Sequence, residues 1–194
     1  MRFIADNPDV PVVQMDSVIG NKSGKVLLTM FFQNTNLLLA FLRDHNTARS
    51  VLDVFNDLYA MFGRETYCRL FPVILTDRGS EFSNPVPIEQ DENDELRSLV
   101  FYCNPSVPYQ KGGIEVAHEL VRRVLPKGKS FDDLQQEDID LMLSHINSYK
   151  RGKLNSRSAY QLFNFIYGDD ILPKLNIREI EANDIVLSPK LLKK

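Results

Sequence analysis

Three apolar runs separated by short polar turns fill the stretch from Val10 to Leu42, VPVVQMDSVIGNKSGKVLLTMFFQNTNLLLAFL. The runs are Val10–Val18, Lys25–Phe32 and Leu37–Leu42, and the turns between them are IGNKSG and QNTN. Runs of this length, rich in Val, Leu and Phe and bounded by Gly, Asn and Ser, are typical of β-strands. Because the turns are short, the strands should pair antiparallel. The stretch therefore predicts a three-stranded meander.

Beyond Leu42 the spacing of apolar residues predicts helices that alternate with two further strands. One strand is the almost wholly apolar run Leu70–Thr76, which is expected to be buried on both faces. The other is Leu99–Cys103, and the acidic segment Pro87–Arg97 between them predicts a short helix or loop. The predicted helices cover residues 48–62, where Gly63 stops the run, then 111–125, 139–149 and 159–166.

This order of elements predicts an α/β fold with a five-stranded mixed sheet flanked by helices, and it matches the ribonuclease-H-like architecture. We expect one catalytic-core domain over residues 1–168. The tail from Asp169 to Lys194 is difficult to assign from its pattern. Within it, Ile185–Leu187 could pair with a strand, and Pro189–Lys194 is expected to be disordered.

The composition is that of an ordinary globular protein, with 43% hydrophobic and 25% charged residues in a chain of 194. No stretch is long and apolar enough to span a bilayer, and residues 1–11 lack the apolar run of a secretory signal. The two cysteines, Cys68 and Cys103, lack the spacing of metal ligands. We therefore expect two buried free thiols in a reducing cytoplasm.

Charge is distributed unevenly along a chain whose net charge is −3. That net charge argues against a simple nucleic-acid coat protein, which would be basic. Each basic cluster could be a solvated face, but two clusters that flank a candidate active-site helix favour contacts to backbone phosphates. The first cluster contains Arg122, Arg123, Lys127 and Lys129, and the second contains Lys150, Arg151, Lys153 and Arg157.

Three acidic residues lie where strands and helices could bring them together. Asp16 interrupts an apolar strand, Asp77 directly follows the most apolar strand, and Glu115 lies in the first turns of a helix. Taken singly, Asp77 is typical of a turn and Glu115 of an exposed helical face. Converging carboxylates need a cation to remain ionised, and Mg²⁺ or Mn²⁺ is the natural partner of such oxygen ligands.

Four segments of the chain resemble the DDE transposases and retroviral-type integrases, specifically a bacterial insertion-sequence branch, the IS-thirty-like group. VVQMDSVIGNKSGKVLLTMF resembles the first-aspartate block, and ILTDRGSEF resembles the second, commonly TDNGSEF. PYQKGGIEVAHELVRRVLPKGKSF resembles the third block, in which a glutamate opens a helix that ends in RR-x-LPKG. LNSRSAYQLF resembles the closing segment. The resemblance covers nearly the whole chain.

The resemblance implies a metal-dependent enzyme that cuts DNA and joins the new 3′ ends to target DNA. Asp16, Asp77 and Glu115 would be the catalytic carboxylates and would hold two Mg²⁺ or Mn²⁺ ions. The partners would be double-stranded transposon ends and target DNA, bound by a homodimer or larger assembly in the bacterial cytoplasm, at the nucleoid. The predicted DNA-binding residues are Lys111, His118, Arg122, Arg123, Lys127 and Lys129.

The chain departs from the family pattern at two places. Arg78 stands where many relatives have Asn, and Val116 and His118 replace two amides after the glutamate. Glu119 and Glu81 are fallback ligands near Glu115 and Asp77. Two alternatives therefore stay open: a catalytically inactive DNA-binding or assembly module derived from a transposase, and another ribonuclease-H-like nuclease.

Overall fold

A computed structural model of the protein describes residues 2–21, 24–104 and 111–192. Its centre is a five-stranded sheet in the order β3-β2-β1-β4-β5, in which β1 pairs antiparallel with β2 and parallel with β4. The predicted five-stranded mixed sheet is confirmed. The strands are β1 (Val12–Ile19), β2 (Val26–Phe32), β3 (Leu38–Arg43), β4 (Val73–Thr76) and β5 (Leu99–Tyr102), with a separate hairpin of β6 (Lys150–Arg151) and β7 (Arg157–Ser158).

Helices flank this sheet, as its apolar faces require. None of them, over the part of the chain that the structure describes, is long and apolar enough to cross a lipid bilayer. The segment 104–110, whose two prolines predict a loop, lies outside the described residues except for Asn104. The helices are α1 (Arg2–Asp6), α2 (Ala48–Leu70), α3 (Val86–Glu89), α4 (Gly112–Val124), α5 (Gln136–Ser148), α6 (Ala159–Tyr167) and α7 (Ile171–Lys174).

Helix α2 begins after Thr47, a residue type suited to an N-cap, whose side chain accepts a hydrogen bond from the Ser50 N–H. Gly63, with φ of 72°, interrupts the helix, but the helix resumes and continues to Leu70. The predicted start of the fourth strand at Leu70 is therefore wrong. An apolar run suits a buried helix end as well as a buried strand, and Pro72 has no N–H to pair, so β4 begins only at Val73.

The hydrophobic core surrounds strand β2, in which all seven residues are buried. It is formed with side chains of β1, β3, α2, α4, α5 and α6. A smaller cluster of Val12, Val73 and Leu75 is covered by α1, and Phe3 of α1 stacks on Phe101 at 5.5 Å between ring centroids. The sequence pattern did not predict α1, because a single helical turn has too few apolar positions to show a period.

The C-terminal tail packs on the same core as the rest of the chain. Its buried side chains are Ile171, Leu172, Leu175 and Ile177. Segment 185–187 forms no strand in the described residues, and instead the Val186 N–H donates to His145 Nδ1 at 3.1 Å. The expectation of disorder is wrong for Pro189–Leu192, a 3₁₀ turn whose two leucines pack against the core. Residues 193 and 194 lie outside the described residues.

The first turn of α4 is held close to the sheet by a buried glutamine and a glycine. The Gln14 side chain accepts a hydrogen bond of 2.7 Å from the Ile114 N–H. A Cβ added to Gly113 would lie 2.5 Å from Phe31 Cε1 and 3.1 Å from Gln14 Oε1. This close approach fixes where α4 begins relative to β1 and β2.

We expect Gly113→Ala to lower the free energy of unfolding by about 1–3 kcal/mol, because the new methyl group overlaps the Phe31 ring and forces α4 away from the sheet. Urea unfolding of the two proteins measures this difference. Gly112→Ala is the matched control, since its added Cβ meets no described atom within 4 Å. An equal effect of the two substitutions would contradict the close approach at Gly113.

Candidate active site

Asp16 lies in β1, and Asp77 directly follows β4, the parallel neighbour of β1. The β1–β4 register ends with the pair of Gln14 and Leu75, and if it is continued by two residues, Asp16 falls beside Asp77. Residues that face each other in a sheet project their side chains to the same surface, about 5 Å apart. The parallel pairing therefore brings together two carboxylates that are far apart in the sequence.

The same row of side chains continues to both sides of this pair. Thr29 on β2 lies directly opposite Asp16. The β4–β5 register, continued by one residue, sets Cys103 beside Asp77. Burial raises the pKa of Cys103 above its usual value, which keeps the half-buried sulfur a thiol. Thr29, Asp16, Asp77 and Cys103 thus form one polar row across the sheet.

A single lysine joins the two carboxylates. Lys111 Nζ lies 3.1 Å from Asp16 Oδ2 and 3.2 Å from Asp77 Oδ2, and the lysine side chain is only 10% exposed. Two carboxylate oxygens that share one ammonium lie within about 6 Å of each other, where like charges repel by about 3 kcal/mol at an effective dielectric near 20. The cation that the sequence argument requires between these acids is, in this structure, Lys111.

The remaining oxygen of each carboxylate accepts a backbone hydrogen bond. Asp16 Oδ1 accepts from the Ser17 N–H at 2.8 Å, and Asp77 Oδ1 accepts from the Gly79 N–H at 2.9 Å. The second bond is the turn contact that aspartate is suited to make after a strand. Both carboxylates are therefore oriented by the backbone, with Oδ2 directed to the shared cation.

A buried polar network supports the pair from the side of β3. The Arg43 guanidinium donates to Ser17 Oγ at 3.1 Å and to Asn46 Oδ1 at 2.9 Å. The Asn46 amide in turn donates to Glu81 Oε1 at 2.9 Å. The network links the residue after Asp16 to the turn after β4. The sequence analysis did not predict a role for Arg43 or Asn46. The one available signal was that Arg43 is a charged residue at the end of an apolar strand.

Glu81 belongs to this network. Burial opposes its ionisation, but hydrogen bonds from Asn46 and Ser17 outweigh burial and hold the pKa of Glu81 below its usual value. Only 9% of the residue is exposed. The fallback interpretation of Glu81 as a ligand therefore competes with an internal role, which is to fix the turn that carries Asp77.

Glu115 is exposed on α4, outside the pair that Lys111 joins. Residues 2–21, 24–104 and 111–192 contain no group of three or more His, Cys, Asp or Glu side chains arranged to hold a metal ion. The structure thus brings together two of the three predicted carboxylates. Glu115 and the fallback residue Glu119 line an open cleft of about 570 Å³ with His118, Arg122, Arg123 and Lys127.

His118 is tied to the polar row through Thr29. The Thr29 hydroxyl donates its one hydrogen to the Asp16 carbonyl at 2.9 Å, so His118 Nε2, at 2.8 Å from Thr29 Oγ1, must carry a hydrogen and donate it. Burial lowers the pKa of His118 below its usual value, and the charge of Asp16 opposes that shift. The positive charges of Lys111 and Arg122 act in the same direction as burial.

The predicted DNA-binding cations differ in how free they are. Lys111 is engaged by the two aspartates, and Arg122 Nη2 donates to the Ile19 carbonyl at 2.9 Å at the end of β1. Arg122 Nη1 is buried and meets no hydrogen-bond acceptor among the described residues. Arg123, Lys127 and Lys129 are exposed. With His118, which contacts Thr29, three members of the predicted set thus make internal contacts, and the other three are open to solvent.

The second basic cluster lies on the β6–β7 hairpin, at the other end of the sheet. Arg151 of that hairpin donates to the Asn36 carbonyl in the β2–β3 turn, beside the start of β1. Arg122, by contrast, reaches the carbonyl at the end of β1. The two clusters therefore do not flank α4 in space as their order in the sequence suggested.

Arg78, the departure in the second block, lies over the Tyr102 ring at 5.4 Å from its centroid. The Tyr102 hydroxyl donates to the Phe82 carbonyl at 2.6 Å, which fixes the ring. An exposed guanidinium is thereby held next to Asp77. The sequence pattern marked Arg78 as different from relatives but gave it no role.

Proteins of similar sequence are integrases and transposases by name, although no family model matches the chain. A protein of Spiroplasma virus SpV1-R8A2 B that carries the name integrase is 28% identical over 151 residues, which cover 78% of this chain and 45% of that protein. The transposase for insertion sequence element IS4351 from Bacteroides fragilis is 23% identical over 151 residues, covering 78% and 44%. The transposase for insertion sequence element IS1086 from Cupriavidus metallidurans is 35% identical over 63 residues, covering 32% and 19%.

The chain is integrase- and transposase-like. It spans less than half the length of these relatives. The catalytic core domain of BIV integrase matches it with a TM-score of 0.52 and 21% identity over 80% of this chain and 92% of that one. A chain of the simian T-cell lymphotropic virus intasome, solved in complex with PP2A regulatory subunit B56 gamma, matches with a TM-score of 0.58 and 17% identity over 89% and 58%. The fold of this integrase-like chain is ribonuclease-H-like, as predicted.

The aspartate pair of this integrase-like chain has the donor chemistry that a divalent cation requires. Two carboxylate oxygens already converge on one positive charge, and Mg²⁺ and Mn²⁺ prefer such ligands. Asp77 is half exposed, so solvent reaches the pair. The residues present therefore fit one divalent cation at Asp16 and Asp77, in the position that the Lys111 ammonium takes here.

We expect the free energy of unfolding to fall between pH 7 and pH 5, in part because of His118. Burial lowers its pKa in the folded protein, whereas in the unfolded chain the pKa is near 6.5. Its contribution is therefore fully present above about pH 6.5 and is lost as the pH falls through the lower folded value. Urea unfolding at a series of pH values measures the slope.

His118→Gln should make that loss of stability shallower, and His45→Gln, at an exposed position, is the matched control. His145, whose pKa burial also lowers, accounts for part of the remaining slope. A slope that His118→Gln leaves as steep as in the parent would contradict a buried neutral imidazole at this position.

Proposed function

We propose that this chain is the catalytic core of a bacterial DNA transposase, which cuts DNA strands at transposon ends and joins the 3′ ends to target DNA. The observation that carries the proposal is the meeting of Asp16 and Asp77 on one cation, at neighbouring strands of a ribonuclease-H-like sheet. The similarity to integrases and transposases supports the same reaction class.

Asp16, Asp77 and Glu115 are the proposed catalytic carboxylates and the proposed ligands of Mg²⁺ or Mn²⁺. Glu115 follows Lys111 by four residues, about one helical turn, on the side of α4 that borders the open cleft. Bound divalent cations would stabilise the charge that develops on the phosphate and activate the attacking hydroxyl. No side-chain nucleophile is required, which suits a site without an activated Ser or Cys.

The proposed substrate is double-stranded DNA, held by its phosphates. Arg123 and Lys127 line the cleft beside Glu115 and are exposed, and Lys129 follows them. Arg78, held on Tyr102 next to Asp77, adds a fourth accessible cation. Cations placed in this way fix the position of the backbone without reading the sequence, so we expect little sequence specificity from this core.

The active form is proposed to be a homodimer or larger assembly on paired DNA ends, in the bacterial cytoplasm at the nucleoid. The similar chain of simian T-cell lymphotropic virus belongs to an intasome, which supports action within an assembly. The chain spans less than half the length of its curated relatives, so the assembly of the whole protein is part of this proposal.

A second candidate function is a catalytically inactive DNA-binding module derived from a transposase. One observation favours it: Lys111 forms ion pairs with both Asp16 and Asp77, and Glu115 is not grouped with them in the described structure. A protein that had lost its metal could keep this ion-paired arrangement. Loss of metal-dependent activity with retention of DNA binding would distinguish this function from the first.

We expect Asp77→Asn to reduce Mn²⁺-dependent nicking and strand transfer by roughly a thousandfold, because losing a carboxylate at the metal site removes several kcal/mol of transition-state stabilisation. The assay follows a labelled DNA duplex through cleavage and joining on a denaturing gel. Asp53→Asn is the matched control, since Asp53 forms an exposed ion pair with Arg49 on α2.

The products decide among the candidate functions. Joined products that depend on Asp77 support the transposase, and cleaved but never joined products favour another nuclease of this fold. Equal activity in the parent and in Asp77→Asn would remove Asp77 from the mechanism. DNA binding without cleavage under any metal condition favours the inactive module.

A further inference from the structure

The position of Lys111 is costly for a lysine unless the two aspartates hold it there. Its side chain is 10% exposed, whereas lysines ordinarily extend the ammonium into water. It also precedes the first turn of α4, where the helix dipole disfavours a positive charge. The two carboxylates are thus the attractive partners that keep the ammonium buried.

The two aspartates in turn depend on Lys111 as their counterion. Within the described part of the chain, Asp16 and Asp77 make ion pairs with Lys111 alone. The arrangement therefore contains one positive charge for two negative charges. An acid pair of this kind retains a net attraction for a cation of higher charge.

We propose that Lys111 is a resident counterion of the Asp16–Asp77 pair that a divalent cation displaces, so that metal loading releases the ammonium for a DNA phosphate. The proposal rests on the metal-dependent function proposed above. It adds that Lys111 sets the metal affinity of the metal-free protein, a role distinct from that of a simple surface contact to DNA.

A divalent cation would displace the Lys111 ammonium because both need the same carboxylate oxygens. The ammonium contacts Oδ2 of both aspartates, and these are the oxygens directed away from the backbone hydrogen bonds. Mg²⁺ and Mn²⁺ bind carboxylate oxygens at about 2.1 Å, so the metal and the ammonium cannot share the position. Each metal that binds must first break the two ion pairs of Lys111, and this cost weakens the observed affinity.

The released Lys111 ammonium can bind a DNA phosphate. Lys111 is the residue before α4, which carries the cleft residues Glu115 and Arg123 and is followed by Lys127. A phosphate that enters this cleft can accept the freed charge. Metal and DNA would then each favour the binding of the other, as reciprocal linkage requires.

Calorimetric titration of Mn²⁺ into the metal-free protein tests the proposal. Lys111→Met removes the competing charge and keeps the length of the side chain, so it should bind Mn²⁺ about tenfold more tightly than the parent, the scale of a partly exposed ion pair. Lys111→Arg keeps a competing charge and should bind as weakly as the parent. Lys153→Met changes the net charge equally on the distant hairpin, is exposed, and should also bind like the parent.

A second measurement uses the unaltered protein, so that it tests the proposal even if a Lys111 variant folds poorly. Acylation of lysines by a water-soluble reagent, quantified by mass spectrometry, reports the accessibility of each ammonium. Lys111 should react slowly without metal and several-fold faster with saturating Mn²⁺. Lys153 should react at the same rate in both conditions.

The outcomes separate this proposal from the proposed function. Tighter Mn²⁺ binding by Lys111→Met together with metal-induced acylation of Lys111 supports the displacement. Equal Mn²⁺ affinities in all four proteins, with Lys111 protected throughout, overturn the displacement and leave a metal-dependent transposase intact. Absence of Mn²⁺ binding in every protein, also with a DNA duplex present, overturns both.

Discussion

The parallel pairing of β1 with β4 imposes the constraint on which the site depends. It sets two carboxylates beside each other on the same face of a sheet, where their charges repel unless a cation lies between them. Lys111 meets this requirement, and it can do so only because α4 begins directly above the pair. The Gln14 side chain and the absence of a Cβ at Gly113 hold the helix there.

Hydrogen bonds on both sides of the two carboxylates restrict the movement of the elements that carry them. Below them, Arg43, Asn46 and Glu81 join the end of β3 to the turn after β4. Above them, the helix contacts the sheet through His118 and Arg122, which lie one turn apart. Hydrogen bonds of this kind restrict the geometry of a buried site, and the phosphoryl transfer proposed above needs carboxylates that are already oriented.

Helix α4 therefore has two faces with different tasks. Residues that contact the sheet, among them His118 and Arg122, give up part of their exposure to hold the helix in place. Glu115 and Arg123 are exposed at the cleft, which contains acidic and basic side chains and is also lined by His118, Arg122 and, beyond the end of the helix, Lys127. A cleft with acidic and basic side chains suits a phosphate-containing ligand that binds together with metal ions. The phosphates can pair with the basic side chains, and the metal ions with the acidic ones.

The sequence alone determined the larger elements, because the period of apolar residues is a local property. The three-stranded meander, the helix after Thr47 and the helix of Glu115 all follow from it. It also marked Asp16, a carboxylate inside an apolar strand. The sequence pattern wrongly predicted a strand from Leu70, because a buried helix end and a buried strand have the same apolar pattern. It also did not predict the structure of the tail, whose leucines and isoleucines are too sparse to show a period. Only the tertiary structure decided that Lys111 joins Asp16 to Asp77 and that Glu81 serves a buried arginine network. Those contacts depend on strand register and on the height of α4 above the sheet, which are set by packing between residues distant in the chain.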